Sequence, residues 1–107
     1  MTDDGEIVTD KSPVVTISSI NISGNKVSFI VKASWYNGCG SFSHFTSSQT
    51  DSTFYITVYG RQPKNATCTQ AFIEYDAPVD ITITGLGKYK FKFWQSDNTS
   101  VDTTITF

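Results

Sequence analysis

The regular recurrence of apolar residues at every second position constrains this chain more than any other feature. The pattern is clearest over residues 27–35, where Lys32 and Ser34 stand between apolar side chains. The apolar members of that run are Val27, Phe29, Val31, Ala33 and Trp35. Because successive side chains of a β-strand point to opposite faces, this period predicts a strand with one buried face. The composition agrees, since ten Ile and fifteen Thr accompany a single leucine, Leu86, and strands favour β-branched residues.

Similar short runs continue along the chain at a spacing of roughly ten residues. They include residues 14–22, 54–58, 79–83, 89–93 and 101–107. No apolar period of helical length separates them. We therefore predict an all-β fold, an antiparallel immunoglobulin-like β-sandwich of seven or eight strands. A parity switch at Ser18–Ser19 predicts a β-bulge or a strand that changes sheets.

The domain boundaries follow from the distribution of charged residues and of residues that interrupt strands. Residues 1–12 are polar and acidic, so we predict a flexible N-terminal tether that ends at Pro13, with the sandwich over residues 13–107. Ala77–Pro78 predicts a break between strands, and the flanking Asp76 and Asp80 predict a turn with a capping side chain.

Charge excludes several classes of function. The formal net charge is -2, and residues 13–107 are close to neutral, so no basic face for nucleic acid is expected. No segment reaches the roughly 18 apolar residues of a membrane span. The first residues lack the basic start and apolar stretch of a signal peptide, so the sequence indicates a cytosolic protein or a mature form.

The two cysteines bear on the compartment. Cys39 and Cys68 lie about 30 residues apart, and a disulfide closing such a loop is worth about 3.5 kcal/mol in the chain-entropy model. We predict this disulfide, and with it an oxidising compartment. Two buried free thiols and a reactive thiol pair remain as alternatives.

The stretch Ile83-Thr84-Gly85-Leu86-Gly87-Lys88-Tyr89 resembles the corner of immunoglobulin-like and fibronectin type III domains. In those domains a tyrosine hydroxyl bonds to nearby backbone at the start of an alternating strand. The resemblance implies that role for Tyr89, and it implies that Leu86 plugs the end of the core.

A second resemblance concerns the arrangement of Asn37-Gly38-Cys39-Gly40, Cys68-Thr69-Gln70-Ala71 and the Gly-x-Tyr corner. Together with the N-terminal tether, it resembles small uncharacterised lipoproteins of Bacteroides-type bacteria. The resemblance implies a location in the bacterial cell envelope, periplasmic or at the outer surface. The membrane would then be reached only through a lipid anchor on a removed N-terminal cysteine.

Nothing in the sequence predicts catalysis. His44 is the only histidine, and no Gly-x-Ser-x-Gly motif surrounds the neighbouring serines, so we interpret it as an exposed polar residue. Asp97, Asn98 and Asp102 form only a weak calcium pattern. We therefore expect a protein that is not an enzyme, with no catalytic residue, metal site or cofactor.

Aromatic residues give the strongest indication of binding. Five aromatic residues are predicted to point away from the core, either within a strand or beside one: Tyr36, Tyr55, Tyr59, Phe72 and Trp94. They predict one exposed aromatic patch, an interaction surface for sugar or protein. The alternative is that they scatter singly or cover a core edge. Lys88, Lys90 and Lys92 are interpreted as a solvated strand face.

From these features we expect a non-enzymatic, envelope-tethered binding or assembly module that is monomeric and binds a protein or carbohydrate partner. The alternative is a carbohydrate-binding module that uses the exposed aromatic residues. A small peptidase inhibitor acting through its disulfide-bounded loop is a third possibility.

Overall fold

The computed structural model describes residues 7–107, and all regular structure in that range is β-strand. Residues 7–107 contain eight strands. They are β1 (Ile7–Lys11), β2 (Val14–Ser23), β3 (Lys26–Trp35), β4 (Ser41–Thr50), β5 (Thr53–Pro63), β6 (Ile73–Thr82), β7 (Lys88–Ser96) and β8 (Thr99–Thr106). The strands form a five-stranded and a three-stranded sheet, which confirms the predicted all-β sandwich.

The five-stranded sheet is organised around β5. β4 pairs with one edge of β5, while β1 and β7 share the other edge, and β8 pairs with β7. β2, β3 and β6 form the smaller sheet in that order. All neighbours are antiparallel except β5 and β7, which run parallel over Thr53–Ile56. A parallel pair needs a crossover, and here the chain between them passes through β6 in the other sheet.

The alternating side chains meet between the two sheets. Phe29 of β3 lies at the centre, with its ring centroid 5.1 Å from those of both Phe91 and Phe93 on β7. Phe54 stacks on Phe91 at 5.3 Å. The predicted inward faces of residues 27–35, 54–58, 79–83 and 89–93 are all buried. Period-two patterning therefore identified this core correctly.

Residues 7–12 belong to the sandwich, so the prediction of a flexible tether over residues 1–12 is wrong for this part. β1 pairs along β5 from Ile7–Pro63 to Lys11–Tyr59. Ser12 is fully buried, and its amide donates to the Val58 carbonyl at 2.8 Å. Backbone pairing needs no apolar side chains, which is why a polar, acidic segment can join a sheet. Residues 1–6 of the predicted tether lie outside the described residues.

β2 contains the predicted bulge. Its register against β3 shifts between Ile17 and Ser19, at the point where the apolar parity changes. A second shift lies between Val14 and Thr16. Because of these bulges, Ile17, Ile20 and Ile22 all lie opposite inward-facing residues of β3.

β6 runs without interruption through Ala77–Pro78, so the predicted break at that site is wrong. Pro78 is accommodated because β6 is an edge strand, where a missing amide donor costs no ladder hydrogen bond. The predicted turn at Asp76 is also wrong, since this carboxylate forms an ion pair with Lys32 of β3 at 2.7 Å. The hydrogen bond from Lys32 to this carboxylate, reinforced by its charge, raises the pKa of the lysine.

The disulfide joins Cys39 and Cys68, as predicted. Cys39 lies between β3 and β4, and Cys68 lies between β5 and β6. Both connections cross from one sheet to the other at the same end of the sandwich. The amide of Gly38 also donates to the Thr69 carbonyl at 2.9 Å, so the two crossovers are joined twice.

Trp35 is buried at the end of β3, four residues before Cys39. Its indole is 2% exposed, and Nε1 donates to Oε1 of Gln62 at 2.7 Å. Gly40 and Gly60 pack directly on the ring, where an added Cβ would lie 2.2 and 2.6 Å from indole atoms. Both positions therefore require glycine for close packing.

The corner before β7 agrees with the resemblance at one residue and departs from it at another. The Tyr89 hydroxyl donates to the Gly85 carbonyl at 3.0 Å, the bond expected of a tyrosine corner. The expectation that Leu86 plugs the core is wrong, since its side chain is 91% exposed. Ile83 and Tyr89 are the side chains of this corner that are buried in the core, whereas Leu86 borders an open cleft.

Candidate ligand-binding face

Three of the five predicted binding residues share the outer face, by which we mean the solvent-facing side of the five-stranded sheet. Tyr55 and Tyr59 alternate along β5 with the buried residues Phe54, Ile56 and Val58. Trp94 of β7 follows the buried Phe93 and is therefore on the same outer side. The sheet thus brings these three aromatic side chains onto one surface.

A row of stacked side chains crosses this face. His44 of β4 lies opposite Tyr59 in register, and their rings stack with centroids 4.6 Å apart and planes 2° apart. On the other side of Tyr59, Lys11 of β1 is its register partner. The Lys11 ammonium lies 5.1 Å from the centroid of the Trp94 ring. These contacts order the aromatic side chains before any ligand arrives.

Beside the row lies a shallow, open cleft of about 260 Å³. Tyr55, Thr57, Lys92 and Trp94 form its floor, and the turn of residues 96–100 forms its rim. The Tyr55 side chain is 48% exposed. The cleft combines aromatic surface with polar side chains at its border, a common composition for small-molecule sites.

The rim is held by local hydrogen bonds. Ser100 donates to Oδ1 of Asp102 at 2.5 Å, and Lys92 lies 3.4 Å from Oδ2 of the same carboxylate. The hydrogen bond from Ser100, helped by Lys92 and the charge of Lys90, lowers the pKa of Asp102. Across the turn, the hydroxyls of Ser96 and Thr99 lie 2.7 Å apart. The cleft therefore offers hydroxyls on its rim and the Lys92 ammonium group on its floor, while Asp102 contacts both Ser100 and Lys92 from outside the lining.

Tyr36 and Phe72 do not belong to this face, so the prediction of one continuous patch is wrong. Both lie just outside strands of the smaller sheet, Tyr36 directly after the end of β3 and Phe72 directly before the start of β6. Tyr36 stacks on Trp35 at 4.9 Å and is 50% exposed, while Phe72 is 80% exposed. Parity tells which side of its own strand a residue occupies, but it does not tell which sheet the strand joins.

Sequence reasoning missed two members of the row. Lys11 was assigned to the tether, and only its pairing with β5 brings it to the aromatic side chains. His44 was correctly interpreted as an exposed polar residue, but its stacking on Tyr59 was not predicted. Its even spacing with Thr46 and Ser48 along β4 was a usable signal for a position on the same face as its strand partner.

Other chemical candidates stay apart in the described structure. Within residues 7–107, no group of three or more His, Cys, Asp or Glu side chains could hold a metal ion. The Nδ1 atom of His44 lies 2.9 Å from the Ser43 hydroxyl, at an exposed position on β4. No helix long and apolar enough to cross a membrane occurs among the described residues.

Comparison with known proteins gives one assignment. No curated protein and no solved structure matches the chain. The model of the family described as ORF11 beta-sandwich domain matches residues 29–107, well over half of the sequence. The matched region begins in β3 and includes the disulfide, the tyrosine corner and most of the outer face. The chain therefore belongs to the ORF11 beta-sandwich domain family.

Proposed function

We propose that this domain is a non-enzymatic binding module that binds carbohydrate on the outer face of its five-stranded sheet. The observation that carries the proposal is the cleft in which Tyr55 and Trp94 meet the polar turn of residues 96–100. The carbon-bound hydrogens of a pyranose ring pack against an aromatic surface, while its hydroxyls need donors and acceptors at the side. This cleft offers both kinds of group, and it is open enough to admit a chain as well as a single sugar.

Ordering of the face supports the same proposal. The turn is tied by its own hydrogen bonds, and Trp94 is held by the Lys11 ammonium. Binding to side chains that are already ordered loses less conformational entropy than binding to mobile ones. Such preorganisation suits a shallow site, where few contacts are available to offset that loss.

The proposal is tested with a glycan array followed by calorimetric titration of any sugar that binds. Tyr55→Ala and Trp94→Ala should each weaken binding by about tenfold or more, because each removes a large aromatic contact surface. Tyr36→Ala is the matched control, since Tyr36 is equally exposed at 50% against 48% for Tyr55 but lies outside this face. Circular dichroism verifies that each variant folds. Absence of binding across a broad array, or equal losses in the control, would contradict the proposal.

For the location, we propose a module anchored to a bacterial cell envelope through its N-terminus. The Cys39–Cys68 disulfide supports an oxidising compartment, and the resemblance to Bacteroides-type lipoproteins supports a lipid anchor. The Tyr89–Gly85 hydrogen bond further supports a relation to immunoglobulin-like domains, although the parallel pairing of β5 and β7 is unusual for an antiparallel sandwich. Labelling native cells with a palmitate analogue should mark the protein. An unlabelled protein recovered from the cytosol with two free thiols would refute this location.

A further inference from the structure

The sandwich is closed along one side and open along the other. On the closed side, the inner face of β6 is covered, and Ala77, Val79 and Ile81 are at most 4% exposed. On the open side, Ile20 and Ile22 of β2 also lie opposite inward-facing residues of β3. They nevertheless remain 42% and 49% exposed. The same sheet therefore buries its apolar side chains at one edge and leaves them accessible at the other.

β8 of the larger sheet lines the other side of this opening. Its residues Val101 and Ile105 pair with the inward-facing Phe93 and Tyr89, but they are only partly buried. Thr16–Ile20 and Val101–Thr103 border a shared cleft of about 480 Å³. We call this cleft and the side chains along it the β2–β8 opening.

A second cleft lies further along the two strands, at the end of the sandwich. It has a volume of about 590 Å³ and is lined by Ile22, Ile83, Leu86 and Phe107, among others. The Leu86 side chain is almost fully exposed there. A row of exposed aliphatic side chains along one side of a small domain indicates an interaction site.

Residues 19–23 of the β2 edge lack the devices that usually protect an edge strand. Within the sheets of residues 7–107, β2 pairs with β3 alone, and its ten residues include no charged side chain and no proline. The opposite edge, β6, has Glu74, Asp76, Asp80 and Pro78. Charges and proline on an edge strand hinder pairing with another chain. The two bulges of β2 lie before Ser19, so residues 19–23 offer a regular stretch of backbone.

We propose that an extended segment of another protein adds as a strand to β2 along residues 19–23 and projects alternate aliphatic side chains into the β2–β8 opening. This mode of recognition combines main-chain hydrogen bonds with side-chain pockets at every second position. The aliphatic side chains along the opening select a segment with Val, Ile or Leu at alternate positions. The inference goes beyond carbohydrate binding, since it concerns a different surface and a protein partner.

A second copy of this chain fits the opening less well. A symmetric antiparallel pair of β2 strands centred on Asn21 would place Ile20 opposite the other copy's Ile22, which is favourable. The same register would place the other copy's Ser18 opposite Gly24, which lines the end cleft. A serine would therefore stand beside the cleft that an aliphatic side chain of another segment would cover.

The test uses a panel of nine-residue peptides with Val, Ile or Leu alternating with Thr, flanked by lysines for solubility. Peptide is titrated into the isotopically labelled protein, and amide shifts and hydrogen exchange of β2 are followed by NMR. Binding should slow amide exchange in β2, and N-methylation of the peptide backbone should abolish the effect. Ile20→Lys should weaken binding by about tenfold or more, because it replaces an apolar contact with an inward-pointing charge.

Asn21→Thr is the control, because Asn21 follows Ile20 on β2 but points to the other face, and threonine adds no charge to the edge. It should bind as the unaltered protein does, and both variants should keep their thermal unfolding midpoints. The proposal is overturned if no peptide of the panel affects β2, if N-methylated peptide binds equally, or if Ile20→Lys and Asn21→Thr bind alike. It is also overturned in favour of self-pairing if the protein alone forms a dimer that Ile20→Lys dissociates. Sugar binding by Tyr55 and Trp94 is independent of every one of these outcomes.

Discussion

Removing the disulfide should lower the free energy of unfolding by about 3.6 kcal/mol. The bond joins residues separated by 29 positions. Entered in the chain-entropy relation, this loop length gives an entropy loss of about 12 cal/mol/K for the unfolded chain, which at 25 °C corresponds to that free energy. The variant that tests this prediction carries both Cys39→Ser and Cys68→Ser.

The native state should survive this change, so the loss should come from the unfolded state. The crossovers that contain the two cysteines remain joined by the hydrogen bond from Gly38 to Thr69. The amide of Cys39 also donates to the Asn37 side chain at 2.9 Å, a bond that a serine backbone can make equally well. The unfolded chain, in contrast, loses its only described covalent crosslink.

Urea denaturation followed by Trp fluorescence measures the effect. With a slope near 1.5 kcal/mol/M, the midpoint should fall by about 2 M, and the slope itself should rise because the unfolded chain exposes more surface. The double alanine variant and the reduced unaltered protein serve as controls and should behave as the double serine variant does. A loss below about 1 kcal/mol with an unchanged slope would refute the loop-closure argument.

Three further changes test other parts of the structure. Gly60→Ala should destabilise the domain by about 2 kcal/mol, because the new Cβ would lie 2.6 Å from the buried indole of Trp35. Gly85→Ala is its control and should change thermal stability little, since its new Cβ would have its nearest contact at 3.6 Å, with the Tyr89 hydroxyl. Tyr89→Phe should cost about 1 kcal/mol in chemical denaturation through loss of the corner hydrogen bond, and an unchanged midpoint would show that the bond contributes nothing. The pKa of Asp102, lowered mainly by the hydrogen bond from Ser100, should rise toward its ordinary value in Ser100→Ala, as measured by NMR titration. A carboxyl group whose pKa is lower in the folded than in the unfolded state adds stability at pH values above its unfolded pKa. The free energies of unfolding of Ser100→Ala and of the unaltered protein should therefore differ at neutral pH, and they should converge once the pH falls below the pKa of Asp102 in the folded protein.

Much of the fold was predictable because a half-buried strand imposes its period directly on the sequence. The inward faces of β3, β5 and β7 are buried where the alternation predicts, and the parity change at Ser18–Ser19 corresponds to a real bulge. The disulfide was predictable as well, since two cysteines in a small chain leave few pairings. In each case the information is local, or it is a simple count.

The errors came from segments whose structure depends on a partner strand. β1 has no apolar period of its own and is held by backbone bonds to β5, so its sequence looks like a linker. Pro78 is compatible with a strand because β6 lies at an edge, and only the sheet order shows that. Leu86 is apolar yet exposed, while Ile83 and Tyr89 of the same corner are buried, and only the tertiary structure shows which of them faces the core.

The same distinction between local sequence pattern and strand pairing holds for the candidate binding face. Alternation placed Tyr55, Tyr59 and Trp94 on the solvent side of their strands, since this depends only on two-residue periodicity. Their assembly into one face, with Lys11 and His44 beside them and Tyr36 and Phe72 elsewhere, was decided by the order in which strands pair. The opening between β2 and β8 was decided in the same way. Strand order arises from contacts between residues far apart in the chain, and no local pattern encodes it.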